Sequence, residues 1–221
     1  PHRQRKRLHA AQGVLMSALI CVVRHGETDW NKQSILQGSL DIPLNPTGRD
    51  QARALASQFA ACDFSAVYSS PLSRAFETAS IIAAALELPA PTTHPGVQER
   101  HFGWAQGIPK AELAGIDPVL CEQIHQRNPA AHFEGGETLD HFADRVLTGL
   151  TDIAEQHVDE RCLLVTHGWV MDVITRHVLG VPRDQALPMK RKNGESIWLL
   201  AGSSAIVEVT APAEAEIQPG A

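Results

Sequence analysis

No apolar run in the 221 residues comes near the ~18 needed to cross a bilayer, so no membrane span and no membrane partner is expected. Paired cysteine motifs are missing too. The four cysteines stand at 21, 62, 121 and 162, a spacing that reads as free, mostly buried thiols rather than a disulfide framework. There is no His-Glu-x-x-His, no Asp-x-Asp and no histidine pair four residues apart, so nothing in the chain signals a metal site. Positive charge is scarce. Lys and Arg number 19 against 25 Asp and Glu, and Arg3, Arg5, Lys6 and Arg7 crowd into the first 12 residues. The remaining body holds 15 basic and 25 acidic side chains. Such a body is a poor partner for nucleic acid, whose binding is driven by phosphate neutralisation. Basic groups gathered in one of its pockets therefore need a local reason. Internal repeats and low-complexity blocks are also absent.

What is present fits one domain with a sizeable core: 43% of residues are apolar and 20% charged. Basic residues 3–7 ahead of an apolar run imitate a secretory signal, but that run flows unbroken into Arg24-His25, and cleavage would remove it. We expect Met16 to be the start, 1–15 a leader or disordered extension, 16–210 one domain, and 211–221 a flexible tail. The composition and unpaired cysteines point to a cytoplasmic protein, monomeric or homodimeric.

Leu19 to Val23 is a short apolar run ending abruptly in Arg24-His25-Gly26, the pattern of a buried parallel strand. Asp29 to Leu44 reads as a polar loop. Asn45-Pro46 reads as a helix cap with proline behind it, leading a helix to about Ala61 that buries Ala52, Leu55, Ala56 and Phe59. Ser65 to Ser69 is a second strand. Ser70-Pro71 repeats the cap device ahead of a helix burying Leu72, Ala75, Phe76, Ala79, Ile82, Ala83 and Leu86. A weaker strand covers Thr92 to Glu99. Residues 100–135, broken by glycine and proline, suit a cap or specificity segment of short helices. A long helix runs from Gly136 to about His157, then a strand over Arg161 to Thr166 ends at His167-Gly168. A helix over Trp169 to Leu179 and strands over Ser196 to Leu200 and Ser204 to Val209 complete the pattern. The alternation predicts an α/β fold, a three-layer sandwich with a mostly parallel sheet, one antiparallel strand and helices on both faces.

In a parallel sheet the C-terminal strand ends open into one crevice. That crevice would collect Arg24-His25, Ser69 to Arg74, Glu99 and Thr166-His167. These groups suit phosphoryl transfer. Guanidiniums spread permanent positive charge over phosphoryl oxygens, a neutral imidazole is a competent nucleophile, and a protonated carboxyl can donate to a departing oxygen.

Arg24-His25-Gly26-Glu27-Thr28 with Trp30-Asn31 resembles the signature of the histidine phosphatase superfamily, which includes cofactor-dependent phosphoglycerate mutases. Ser69 to Ala75, Glu99 to Gly103 and Thr166 to Gly168 are similar to its later motifs, in the same order. The resemblance implies His25 as the nucleophile that becomes phosphohistidine, Glu99 as proton donor, and Arg24, Arg74 and His167 as phosphoryl ligands. It also implies phosphate contacts from Asn31, Gln37 and Gly38, with Gly168 behind His167, and a metal-free reaction on small-molecule phosphate esters. Lys110, assisted by Arg100 and Arg127, would serve a substrate's far end. His101 is the further histidine expected to line the pocket, and Trp104 and Trp169 are expected in the core. A mutase would need 2,3-bisphosphoglycerate and a long insertion after Lys110. Here only residues 111–134 precede Gly135-Gly136-Glu137-Thr138, so a phosphatase needing no cofactor is favoured. A catalytically silent phosphoryl-binding module would have lost one of the five central groups, and all five are present.

Overall fold

The computed structural model describes residues 16–126, 128–187, 189 and 191–212. The expectations placed on 1–15, on Arg127 and on most of the tail lie outside the described residues. Six strands form one sheet: β1 (Ala18–Arg24), β2 (Ala66–Ser69), β3 (Thr92–Thr93), β4 (Arg161–Thr166), β5 (Ser196–Ala201) and β6 (Ile206–Val209). Their spatial order is β3-β2-β4-β1-β5-β6. β1 pairs in parallel with β4, and β4 with β2, while β5 runs antiparallel to both β1 and β6. β5 is thus the single reversed strand.

The helices are α1 (Asp29–Lys32), α2 (Pro46–Gln58), α3 (Ser73–Ala85), α4 (Lys110–Ile116), α5 (Pro118–His125), α6 (Leu139–Gln156) and α7 (Gly168–Val178). Alternation along β1 divides the core. Ala18, Ile20 and Val22 pack on one face with Phe142, Val146, Leu150 and Ile153 of α6 and Val170 and Ile174 of α7. Cys21 and Val23 pack on the other with Leu55, Ala56 and Phe59 at α2 and Ala75, Ala79 and Ile82 of α3. Two buried faces explain why β1 and β4 read as continuous apolar runs. All four cysteines are free, three of them buried. Among the described residues no helix is long and apolar enough to cross a membrane.

Asn45 caps α2 as read, its Oδ1 accepting from the amide of Gly48 at 2.8 Å. Four local readings are corrected. Ser70-Pro71 does not cap α3: the helix begins at Ser73, and Asp41 from a distant loop accepts that amide at 2.6 Å. Phe76 lies on the outer side of α3, 39% exposed. The strand expected over Thr92 to Glu99 stops at Thr93, because His94 Nδ1 accepts from the Gly96 amide and turns Pro95–Val97 into a 3-10 helix. The polar loop after Thr28 contains α1, closed by a reciprocal cap between Thr28 and Asn31.

Candidate active site

The three central strands β2, β4 and β1 lie side by side and parallel, so Ser69-Ser70, Thr166-His167 and Arg24-His25 emerge at one sheet edge. The ladder continues past β1, where the His25 amide donates to Thr166 O at 2.9 Å. The chain then turns at Gly26 beneath the first turn of α2. A Cβ on Gly26 would stand 2.4 Å from Gly48 O, so only glycine lets the two backbones approach this closely. The Gly26 amide donates to Thr78 Oγ1, and that hydroxyl donates to Arg74 O at 2.7 Å. One threonine therefore ties the His25 loop to the helix carrying Arg74.

The rings of His25 and His167 lie 5.1 Å apart, centroid to centroid, and tilted by 59°. Both are buried. Burial holds the His25 imidazole well below the usual histidine range, and the Arg74 and Arg24 charges add to the effect. Burial acts the same way on His167, followed by Arg74, His25 and Arg24. Both rings are accordingly neutral near pH 7. His25 Nδ1 meets Gly26 O at 2.6 Å. A carbonyl only accepts, so Nδ1 carries the proton and Nε2 keeps its lone pair for chemistry.

Arg74 is 1% exposed, and its guanidinium donates to Leu40 O and Gly38 O, each at 2.7 Å. Burial pulls its pKa down to about 10, which leaves the group charged. Arg24, half-buried, donates to the carbonyl of Arg191. Glu99 is nearly buried, its Oε1 accepting from the Arg100 amide at 3.0 Å and its Oε2 from the Trp169 amide at 3.4 Å. The segment before it is fixed by Thr166 Oγ1 donating to Val97 O at 2.6 Å.

Gly38, at φ 53°, supplies its carbonyl to Arg74, and a Cβ there would strike the Gln106 amide. Gln37 is buried with Oε1 unpaired. Asn31 is half-buried, its Oδ1 accepting from the Thr28 amide. Gly168 opens α7 directly after His167, and Lys110 opens α4. Two expectations are overturned. Arg100 is not free to reach a substrate in this arrangement: fully buried, it donates to the carbonyls of Pro129, Ala131 and Glu137 and lies over the rings of Phe133 and Trp169. Trp169 is core, but Trp104 is 40% exposed. His101 is half-buried and turned to Gln106, with Nε2 3.4 Å from its amide nitrogen.

The sequence reading put Ser70 in the crevice only as a helix cap and did not single out Asn193. Ser70 Oγ lies 2.7 Å from His167 Nε2. Asn193 donates its side-chain amide to His25 O at 2.9 Å and to Gly26 O at 3.3 Å. Asn193-Gly194 announces a turn, yet nothing local says that the turn folds over β1.

Comparison with known proteins agrees with this geometry. The model of the "Histidine phosphatase superfamily (branch 1)" matches residues 20–208. Phosphoglycerate mutase-like protein 4 of Arabidopsis thaliana is 42% identical over 156 residues, 70% of this chain and 68% of that protein. The metal-independent phosphoserine phosphatase of the same plant is 39% identical over 157 residues, 70% of this chain and 66% of that one. Among solved structures, YhfR of Bacillus stearothermophilus superposes with a TM-score of 0.80 at 27% identity, covering 86% of this chain and 95% of that one. Strand order, buried histidine pair and family match agree: this chain is a histidine-type phosphatase and belongs to branch 1 of the histidine phosphatase superfamily.

Proposed function

We propose that this chain hydrolyses small, polar phosphate monoesters by two displacements at phosphorus, with His25 carrying the phosphoryl group between them. His25 Nε2 attacks in line, and the P–N bond forms as the bond to the leaving oxygen breaks. Arg24, Arg74 and His167 hold the equatorial oxygens, with Asn31, Gln37, Gly38 and Gly168 around them. A protonated Glu99 gives its proton to the departing oxygen, then takes one from the water that attacks the phosphohistidine. Inorganic phosphate leaves and His25 is restored. The observation that carries this reading is the buried pair of neutral imidazoles, 5.1 Å apart, under the charges of two arginines.

Arg100 supports hydrolysis over a mutase. A mutase must hold both ends of its substrate while excluding water. Arg100, one of the cations expected for that task, is held instead by backbone carbonyls. The likeness to a phosphoserine phosphatase supports a substrate of that size and polarity. The reading needs no cofactor, takes residues 16–210 as one catalytic domain, and places the protein in the cytoplasm as a monomer or homodimer without nucleic-acid or membrane partners.

The test is quenching in alkaline detergent after incubation with ³²P-labelled phosphoserine and aryl phosphates, followed by brief acid treatment of half of each sample. One acid-labile label should appear and be absent from His25→Ala. No label, or label retained in that variant, overturns the proposal. Interconversion of 3- and 2-phosphoglycerate driven by 2,3-bisphosphoglycerate, faster than any hydrolysis, would make the chain a mutase.

A further inference from the structure

We infer that Ser70 is a positioning residue that fixes the tautomer of His167, making that ring a neutral hydrogen-bond donor through Nδ1 in the phosphoryl site. The inference rests on the phosphohistidine reading for its purpose, but not for its evidence. Ser70 is fully buried at the end of β2. Its hydroxyl oxygen accepts from the Leu72 amide at 3.2 Å and stands 2.7 Å from His167 Nε2. Leu72 N–H can only donate, so it cannot take the hydroxyl hydrogen. The acceptor in reach is the lone pair of His167 Nε2. A buried hydroxyl left without an acceptor is disfavoured, so Ser70 donates to Nε2. With Nε2 unprotonated, a neutral imidazole carries its proton on Nδ1.

Nδ1 is the edge of this ring that is buried without a partner. Every other ring contact is settled, so the ring offers that one N–H for an incoming group. The opposite tautomer would strand the serine hydrogen and present a lone pair among phosphoryl oxygens, where lone pairs repel. His25 and His167 are thereby protonated on the same atom by different means. In His25 the Gly26 carbonyl takes the Nδ1 proton and frees Nε2 for attack. In His167 the Ser70 hydroxyl occupies Nε2 and leaves Nδ1–H to hold the anion. One ring is prepared to give an electron pair, the other a hydrogen bond, and neither has to be charged beforehand.

The experiment is ¹⁵N-edited long-range NMR of the histidine side chains in the full chain, without phosphate, in wild type and Ser70→Ala. The His167 signals are assigned by their loss in His167→Asn. In the wild type, His167 Nδ1 should show a pyrrole-type shift and Nε2 a pyridine-type shift. In Ser70→Ala, the proton should move wholly or partly to Nε2, and kcat/KM should fall about 10- to 100-fold at the lower end of what a lost oxyanion donor costs. A Ser70→Thr variant that keeps the hydroxyl should keep the wild-type tautomer. A wild-type His167 protonated on Nε2 overturns the inference, whether or not any variant folds. So does an unchanged tautomer in Ser70→Ala. Failure of the phosphohistidine reading looks different: His25→Ala would retain turnover and label while the His167 spectrum stayed as described.

Discussion

The two buried imidazoles should make the folded state sensitive to mild acid. Burial and the neighbouring arginine charges hold both groups well below the ordinary histidine value of 6.5. The sign follows from proton counting. Below 6.5 the unfolded chain binds a proton at each position and the folded chain does not, so stability falls as pH falls. Above 6.5 both states hold neutral rings, and the full stability is present. The fall stops only when the pH reaches the depressed folded values. In the limit that both rings stay neutral in the fold, lowering the pH from 6.5 to about 4.5 removes about 2 kcal/mol per histidine, or about 4 kcal/mol together. That is a large share of the ~5–15 kcal/mol that holds a domain of ordinary stability. The assay is urea unfolding across this window in buffers free of phosphate and sulfate, since a bound oxyanion would stabilise the fold. Carboxylates and the other histidines also titrate, so the comparison is with His25→Gln/His167→Gln, which lacks both rings. The wild type should lose more than the double variant over the window, by up to about 4 kcal/mol. Parallel curves would show that the rings accept protons inside the folded protein, and would refute the neutral-pair account of the site.

The same shifts place the acid limb of kcat/KM well below pH 6.5; a limb at or above that value would contradict the buried-neutral nucleophile. Glu99→Gln should slow esters of poorly departing alcohols far more than activated aryl esters, which need little protonation, and equal losses on both would remove Glu99 from the acid role. Arg100→Met strands three buried carbonyl contacts and should cost about 3 kcal/mol in urea unfolding with KM little changed. A raised KM with unaltered stability would return Arg100 to the substrate. Vanadate, which resembles pentacoordinate phosphorus, should raise the thermal midpoint of wild type and inhibit it, and should do neither in Arg74→Met.

Much of the site was legible because its residues sit at the ends of apolar strands. Leu19 to Val23 and Cys162 to Val165 announce themselves as buried strands, and whatever follows such a strand in a parallel sheet lies at the ligand edge. Arg74 could be placed because α3 begins next to β2. Arg100 was misread for a physical reason. An arginine among motif residues looks like an anion ligand, and its carbonyl partners at 129, 131 and 137 lie about 30 residues away, where no local pattern reveals them. Ser70 was misread in the opposite direction. Serine before proline is a good cap sequence, but the hydroxyl was claimed by a histidine 97 residues further along, and Asp41 took over the helix end. Side chains whose partners are remote in sequence are those on which local rules fail.

The arginine partners bear on function as well as on legibility. Arg74 is held by the carbonyls of Gly38 and Leu40, and Arg24 donates to that of Arg191. For Arg74 those carbonyls fix the direction of the N–H groups they accept from and carry no net charge, while the charges of Glu99 and Asp41 act on the cation as well. A carboxylate in the place of the Gly38 or Leu40 carbonyl would have to be displaced before a phosphoryl dianion could reach Arg74, and its repulsion would oppose the charge that builds in the transition state. Burial adds the cost seen in the pKa of Arg74, drawn down to about 10. An incoming phosphoryl dianion offsets that cost by adding negative charge beside Arg74 in a site of low dielectric, where the attraction is strong. Replacing Leu40 by another residue that leaves the carbonyl in place should therefore affect catalysis less than placing an acid within reach of Arg74. A further acid there would make the fold more stable and the enzyme slower, because it would add to the negative charge that Glu99 and Asp41 already set against Arg74.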